Sequence, residues 1–280
     1  MSDASAGGGY AERMVESALG RLRVRVRGTD AGTPILFWPS LLMDGSMWFG
    51  VADELVSRYR VVLIDPPGHG GSGRLSETFD FAQCAQCLAD VADALGDARV
   101  HVVGNSWGAM IGGTFAARHP GRIGAAVLMN GTASPCSWRQ RLEYRGLIRL
   151  ARLLGGIRGP LRRRATAAFL GPTTLRERPD VAMAVQAALS RVDVASLRWA
   201  VESVVPSRPD QRVLFGTIRA PVLVVAGAED ATFPPAEARA MADAIPGASF
   251  TLMPGAAHLA GLECPGAAAA LIDAFLREHG

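Results

Sequence analysis

Residues 102–110 read VVGNSWGAM. An apolar run ends at Gly104, and Asn105, Ser106, Trp107 and Gly108 complete a G-x-S-x-G spacing. With 32 glycines in 280 residues that spacing is weak evidence alone, so its context must carry the reading. The context agrees. The apolar run VHVVG (100–104) precedes it, and the helical pattern AMIGGTFAARH (109–119) follows. A serine on a sharp strand-to-helix turn is thrust above the edge of a sheet. Small residues on both sides let such a turn pack closely. The first helical turn points free N–H groups at the same place, which favours negative charge there.

Working outward, similar apolar runs recur at ILFW (35–38), VVLID (61–65), AAVLMN (125–130) and VLVVAG (222–227), with a weaker one at SFTLM (249–253). Flanking Gly, Pro and Asp mark them as strands buried on both faces. Helical patterns lie between them: SMWFGVADELVSR (46–58), the run 79–95, AEARAMADAI (236–245) and GAAAALIDAFLRE (266–278). Strand–helix alternation predicts an α/β fold, a mostly parallel central sheet with helices on both faces. RLRVRVRG (21–28) alternates Val with Arg, which predicts an exposed-edge strand. Alternation fails from 132 to 216, where the chain is arginine-rich and helical in pattern. The expected organisation is a disordered lead-in over 1–11, a core over 12–131, a helical insertion over 132–216 and the rest of the core over 217–280.

Composition narrows the class. The chain is 49% hydrophobic and 20% charged, enough for a substantial core. No apolar stretch reaches membrane-spanning length, and the N-terminus lacks the features of a secretory signal. A cytoplasmic location and no membrane partner are expected. Cys84 and Cys87 form CAQC inside a helical pattern, which reads as two small buried residues on one helical face. No Cys/His cluster has zinc spacing, so neither metal nor cofactor is expected. All 29 basic residues are Arg. The insertion holds 15 Arg against 6 acidic residues, while the remainder holds 14 against 20, so a basic segment sits in an acidic frame. That frame opposes nucleic-acid binding through RGPLRRR (158–164).

A serine hydroxyl needs a base to become a nucleophile. Of five histidines, His101 lies within a strand run, His119 ends a helix and His279 is terminal. His69 lies in DPPGHGGSG, a turn-forming stretch after a strand. His258 lies in PGAAHLAGLECP, between the last weak strand and the final helix, at the carboxyl edge where sites of open α/β sheets gather. VLVVAGAED puts Asp230 just past a strand, with Glu229 beside it. The order Ser106, Asp230, His258 is that of one nucleophile–acid–base triad type. These three are the candidate catalytic residues.

Taken together, the chain resembles an α/β-hydrolase from about Glu12 onward. DPPGHGGS is similar to that fold's D-x-R-G-H-G-x-S segment, with Pro67 at the arginine position. GAEDATFPP and GAAHLAGLECP resemble its acid and histidine loops, and the insertion falls where these enzymes carry a lid. Within the fold the chain is most similar to the 3-oxoadipate enol-lactonase-like branch. The resemblance implies serine hydrolysis of a small ester or lactone through an acyl-enzyme, with a carboxylate on the substrate in that branch. It also implies an oxyanion hole made by the backbone N–H groups of Leu41 and Trp107. The family's His-Gly-x loop reads Pro39-Ser40-Leu41 here, which keeps the donor but alters its approach. Leu42 and Met43 are expected to line the acyl pocket. Two rivals use the same motif: hydrolysis of a carbon–carbon bond in a vinylogous diketone, and a non-hydrolytic role as a cofactor-free oxidising enzyme or ligand receptor.

Overall fold

The structure is a computed structural model that describes residues 9–29 and 33–279. The chain enters through β1 (Ala11–Ser17) and turns at Ala18 and Leu19 into β2 (Gly20–Gly28). Then come β3 (Ile35–Trp38), a short 3-10 turn at Gly45–Trp48, α1 (Phe49–Leu55), β4 (Arg60–Ile64) and α2 (Phe81–Ala94). β5 (Val100–Asn105), α3 (Trp107–Arg118) and β6 (Ile123–Met129) follow. Six helices separate β6 from the next strand: α4 (Trp138–Leu153), α5 (Gly159–Phe169), α6 (Pro172–Glu177), α7 (Pro179–Arg191), α8 (Val194–Val204) and α9 (Arg212–Phe215). The chain closes with β7 (Val222–Gly227), α10 (Pro235–Asp243), β8 (Ser249–Met253), α11 (Ala260–Glu263) and α12 (Pro265–His279).

The eight strands form one sheet in the order β1-β2-β4-β3-β5-β6-β7-β8, parallel from β4 to β8. Every residue of β3, β5, β6 and β7 is buried, as their unbroken apolar runs require of strands covered on both faces. α2 packs on α3, and α1 on α12. The chain crosses from β4 over β3 to β5, so the strand order reverses between β3 and β5. Loops leaving those two strands diverge there and open a crevice.

Two glycines close the turn after β5. A Cβ at Gly104 would lie 2.0 Å from the Gly108 carbonyl oxygen, and one at Gly108 would lie 2.1 Å from that of Trp38. Only hydrogen fits at either position. Ser106 between them sits at φ 57° and ψ −110°, a region that costs a non-glycine residue roughly 1–3 kcal/mol.

β2 departs from the expected exposed edge. It pairs with β1 on one side and β4 on the other, and β1 is the outer strand. The cause is Asp65, fully buried past the end of β4. Its carboxylate accepts from Arg25 Nη1 at 3.0 Å and Arg23 Nε at 2.8 Å. Paired there, Arg25 turns inward and is buried. The same carboxylate accepts from the amides of Gly45 and Gly71, at 3.0 and 2.7 Å. The strand β1 carries no periodic signal because only Val15 along it is buried. Residues 1–8 of the expected lead-in lie outside the described residues, and Ala11 pairs with Val26.

His101 has a structural place. It lies where the β5–β6 register shifts, and its Nδ1 accepts from the Ala125 amide at 3.0 Å. Burial and then the Arg99 charge push this imidazole down to about 4.

Two outcomes follow from these buried groups. Asp65→Ala leaves two amides unmatched and removes the buried counter-ion of Arg23 and Arg25, which keep only the half-exposed Glu12, and is expected to lower the unfolding free energy by about 3 kcal/mol in denaturant titration. His101 is neutral in the fold but takes a proton when unfolded once the pH falls below 6.5. Its contribution is fully present above 6.5 and declines as pH falls toward 4. His101→Asn, which keeps an acceptor, is expected to flatten the slope of unfolding free energy across that window.

Candidate functional site

Ser106 is carried above the crevice by the strained turn between β5 and α3, with its own amide anchored to the Met129 carbonyl at 2.8 Å. His258 reaches it from the loop between β8 and α11. Ser106 Oγ–H donates to His258 Nε2 at 2.8 Å, and His258 Nδ1–H donates to Asp230 Oδ2 at 2.9 Å. All three residues are buried, none exposing more than 7% of its surface. The structure therefore brings the three predicted residues into one hydrogen-bonded line, although 152 positions separate Ser106 from His258.

Asp230 is held from three further sides. Its Oδ1 accepts from the amides of Thr232 and Phe233 at 2.8 and 3.0 Å, and its Oδ2 from Asn130 Nδ2 at 3.0 Å. Burial pushes the carboxyl up, but the His258 charge and these hydrogen bonds outweigh it and hold it below the usual range. It stays an anion and an acceptor, which fixes the proton on Nδ1 and leaves Nε2 free to receive one. Glu229 faces away and accepts from the Thr173 amide of α6 at 3.0 Å. The His258 ring stacks on Phe169 at 5.8 Å and meets the edge of Phe233 at 5.5 Å.

The expected oxyanion donors come from two places, the Leu41 amide on the loop after β3 and the Trp107 amide at the start of α3. The Leu41 and Trp107 amides have no acceptor among the described residues. Leu42 sits at φ 72°, and its amide donates to His69 Nε2 at 3.1 Å. His69 Nδ1–H donates to the Pro67 carbonyl at 2.9 Å. Burial holds this imidazole below its ordinary pKa, so it remains an acceptor for Leu42. The left-handed residue reverses the chain, which separates Leu42 from Met43. Leu41 and Leu42 line the cavity with Ser106 and His258, whereas Met43 is buried in the core and lines no part of it. The expectation for Met43 is thereby corrected.

That cavity, of about 280 Å³, is roofed by side chains from α4, α5 and α8. Among the described residues no His/Cys/Asp/Glu group is placed to hold a metal ion, and no helix is long and apolar enough to cross a membrane.

Three supporting residues had no sequence signal strong enough to single them out. Asn105 Nδ2 donates to Ser40 Oγ at 2.8 Å and to the His258 carbonyl at 2.7 Å, tying the loop after β3 to the histidine loop. Asn130 donates both to Asp230 and to the Ala257 carbonyl. Glu263, buried in α11, accepts from the amides of Ala257 and Leu259 on either side of His258, at 3.0 and 3.1 Å. It also accepts from the Gly171 amide at 3.1 Å and Thr174 Oγ1 at 2.6 Å. A polar residue that ends β5 and another directly after β6 were the available hints for the asparagines. Glu263→Leu removes an acceptor from four buried donors. It is expected to cost about 3 kcal/mol or more in unfolding free energy, and to speed amide hydrogen exchange at Ala257 and Leu259.

Comparison with known proteins agrees with this fold. Residues 33–265 match the model of the alpha/beta hydrolase fold family. A Caulobacter sp. (strain K31) protein named as a carbamate hydrolase, RutD, is 31% identical over 83% of this chain and 86% of its own. A thermophilic esterase from Thermogutta terrifontis, solved with malate bound, superposes with a TM-score of 0.88 at 25% identity, covering 96% of this chain and 100% of its own. The enol-lactonase from Burkholderia xenovorans LB400 gives 0.86 at 25% identity over 95% and 100%. On the family match over most of its length, the chain belongs to the α/β-hydrolase fold family.

Proposed function

We propose that the protein is a serine hydrolase that cleaves a carboxylic ester or lactone through an acyl-enzyme. One observation carries the reading: the Asp230–His258–Ser106 line, 2.9 and 2.8 Å in its two bonds, at the floor of an apolar cavity. The named activities of the relatives, on carbamate, ester and enol-lactone, share addition of a nucleophile to an acyl carbon.

The chemistry runs on proton transfers among substrate, Ser106, His258 and water. Ser106 Oγ attacks the carbonyl carbon while its proton passes to His258 Nε2. Asp230 holds the imidazole in place and stabilises its charged form. The Leu41 and Trp107 amides donate to the oxyanion, each such donor being worth roughly 3 kcal/mol in related chemistry. His258 returns the proton to the departing alcohol. Water then attacks the acyl-enzyme, its proton going to His258, which returns it to Ser106 Oγ as the acyl–oxygen bond breaks and the free acid leaves. With a lactone, acid and alcohol remain in one molecule. The helices α4 to α9 act as the lid of this site and keep bulk water from the apolar walls.

Ser106→Ala is expected to abolish fluorophosphonate labelling and cut ester turnover at least about a thousandfold, with the unfolding midpoint retained. Asp230→Asn is expected to lower kcat by about ten-thousandfold while KM changes little, because it offers His258 the wrong tautomer. A folded Ser106→Ala variant that still turns over esters overturns the mechanism. Turnover of a vinylogous diketone but of no ester assigns carbon–carbon cleavage instead.

A further inference from the structure

The cavity over Ser106 is walled by apolar side chains such as Met110, Leu147, Leu197 and Val201. Arg208 interrupts them. It lies in the loop between α8 and α9, is 4% exposed, and lines the cavity. Its Nε–H donates to the Ser134 carbonyl at 2.9 Å. Among the described residues its two Nη groups meet no acceptor, and no carboxylate pairs with it. Glu237, the acid nearest in influence, is occupied by Thr132 Oγ1 at 2.9 Å. Arg198 also lines the cavity, less buried and with its Nε unpartnered among the described residues, whereas several other arginines of the insertion are matched by carboxylates. Arg145 pairs with Glu202 and Arg178 with Asp180 on the surface, and the cavity's Arg164 pairs with Glu143 beside it.

A guanidinium does not shed its proton in a protein. Held in an apolar pocket without a counter-ion, it is costly unless an anion arrives to share the site. Its planar fork of N–H donors matches the two oxygens of a carboxylate. Phe233 sets the spacing: its ring lies 5.3 Å from the Arg208 guanidinium carbon and 5.5 Å from the His258 ring. The cation and the imidazole thus both lie against the same aromatic ring.

We propose that Arg208 is the anion anchor of this site, binding the free carboxylate of a substrate whose ester or lactone carbonyl sits at Ser106, with a short carbon chain laid along Phe233 between them. The proposal rests on the serine-hydrolase reading for the second half of that statement only. Hydrolysis of such a half-ester forms one acyl C–O bond to water and breaks one to the alcohol, releasing a dicarboxylate.

The test compares monomethyl adipate with methyl 6-methylheptanoate, in which an isopropyl group replaces the carboxylate. The wild type is expected to favour the anion. Arg208→Met is expected to lower kcat/KM for the anion about a hundredfold, mostly through KM, and to leave the neutral ester within about threefold. Arg208→Lys recovers part of the loss. Equal losses on both esters overturn the proposal in favour of a purely structural latch on Ser134. Loss of the preference on Arg198→Met, with Arg208→Met unchanged, moves the anchor to Arg198, the partly buried cation stacked on Trp199 at 4.0 Å, and so overturns it too. Calorimetric titration of Ser106→Ala with monomethyl adipate separates the two readings. If the wild type cleaves no ester, the hydrolase reading falls. Binding that disappears on adding Arg208→Met then still upholds the anchor, and binding that persists overturns it.

Discussion

The site depends on a backbone held where a serine does not rest by itself. Ser106 keeps φ 57° because the chain on both sides is pinned. β5 is locked between β3 and β6, and α3 is pressed so close to β3 that Gly108 almost touches the Trp38 carbonyl. The strain is local, and the central sheet offsets it. What the strain achieves is direction: the side chain points away from the sheet into a crevice that the strand order opens beside it. A serine in relaxed helical geometry one residue later would face the packed interior of α3, where Trp107 through Ala116 are buried.

Around that fixed point the remaining groups are placed by buried carboxylates acting as junctions. Asp65 binds two arginines of β2, the Gly45 amide and the Gly71 amide, so it fixes the far ends of two loops at once. One of those loops carries His69, whose Nε2 holds the Leu42 amide and so orients the adjacent Leu41. Glu263 does the same for His258, gripping the residue before it and the residue after it. Each junction gathers several donors on one anion, which is how a charge can be buried without losing its stabilisation. The chemistry of the site is thus two bonds long, while its positioning extends to β2 and α11.

Much of this was legible in the sequence because the relevant signals are local. Fully buried strands show as unbroken apolar runs, and the serine turn shows as a glycine spacing between a strand and a helix. The triad emerged from three such strand-end positions. What escaped was non-local. β2 reads as an exposed edge because alternating arginines belong on a wet face, and only Asp65, forty positions away, turns Arg25 inward. Met43 reads as pocket lining because its neighbours are, and only the left-handed turn at Leu42 sends it into the core. Glu263 sits in a short segment with no periodicity, three of its four partners lying on loops that the sequence does not place and the fourth in α6.

The inserted helices are unevenly attached, and this bears on how a substrate reaches Ser106. The α5–α6 corner is built into the site: Phe169 stacks on His258, Gly171 and Thr174 donate to Glu263, and Thr173 donates to Glu229. Lifting that corner would strip Glu263 of two of its four donors and His258 of its Phe169 contact, so a rigid-flap opening of the whole insertion would disturb the carboxylate that holds the His258 loop. α4 is the opposite case. Ala151 is its one buried residue, and Trp138, Leu142 and Leu153 stand exposed along it. Segments with few buried contacts are those that open at low cost. If the proposed hydrolase reading holds, access is expected through displacement of α4, a motion that breaks the exposed Arg145–Glu202 and Arg164–Glu143 pairs but no bond to the His258 loop.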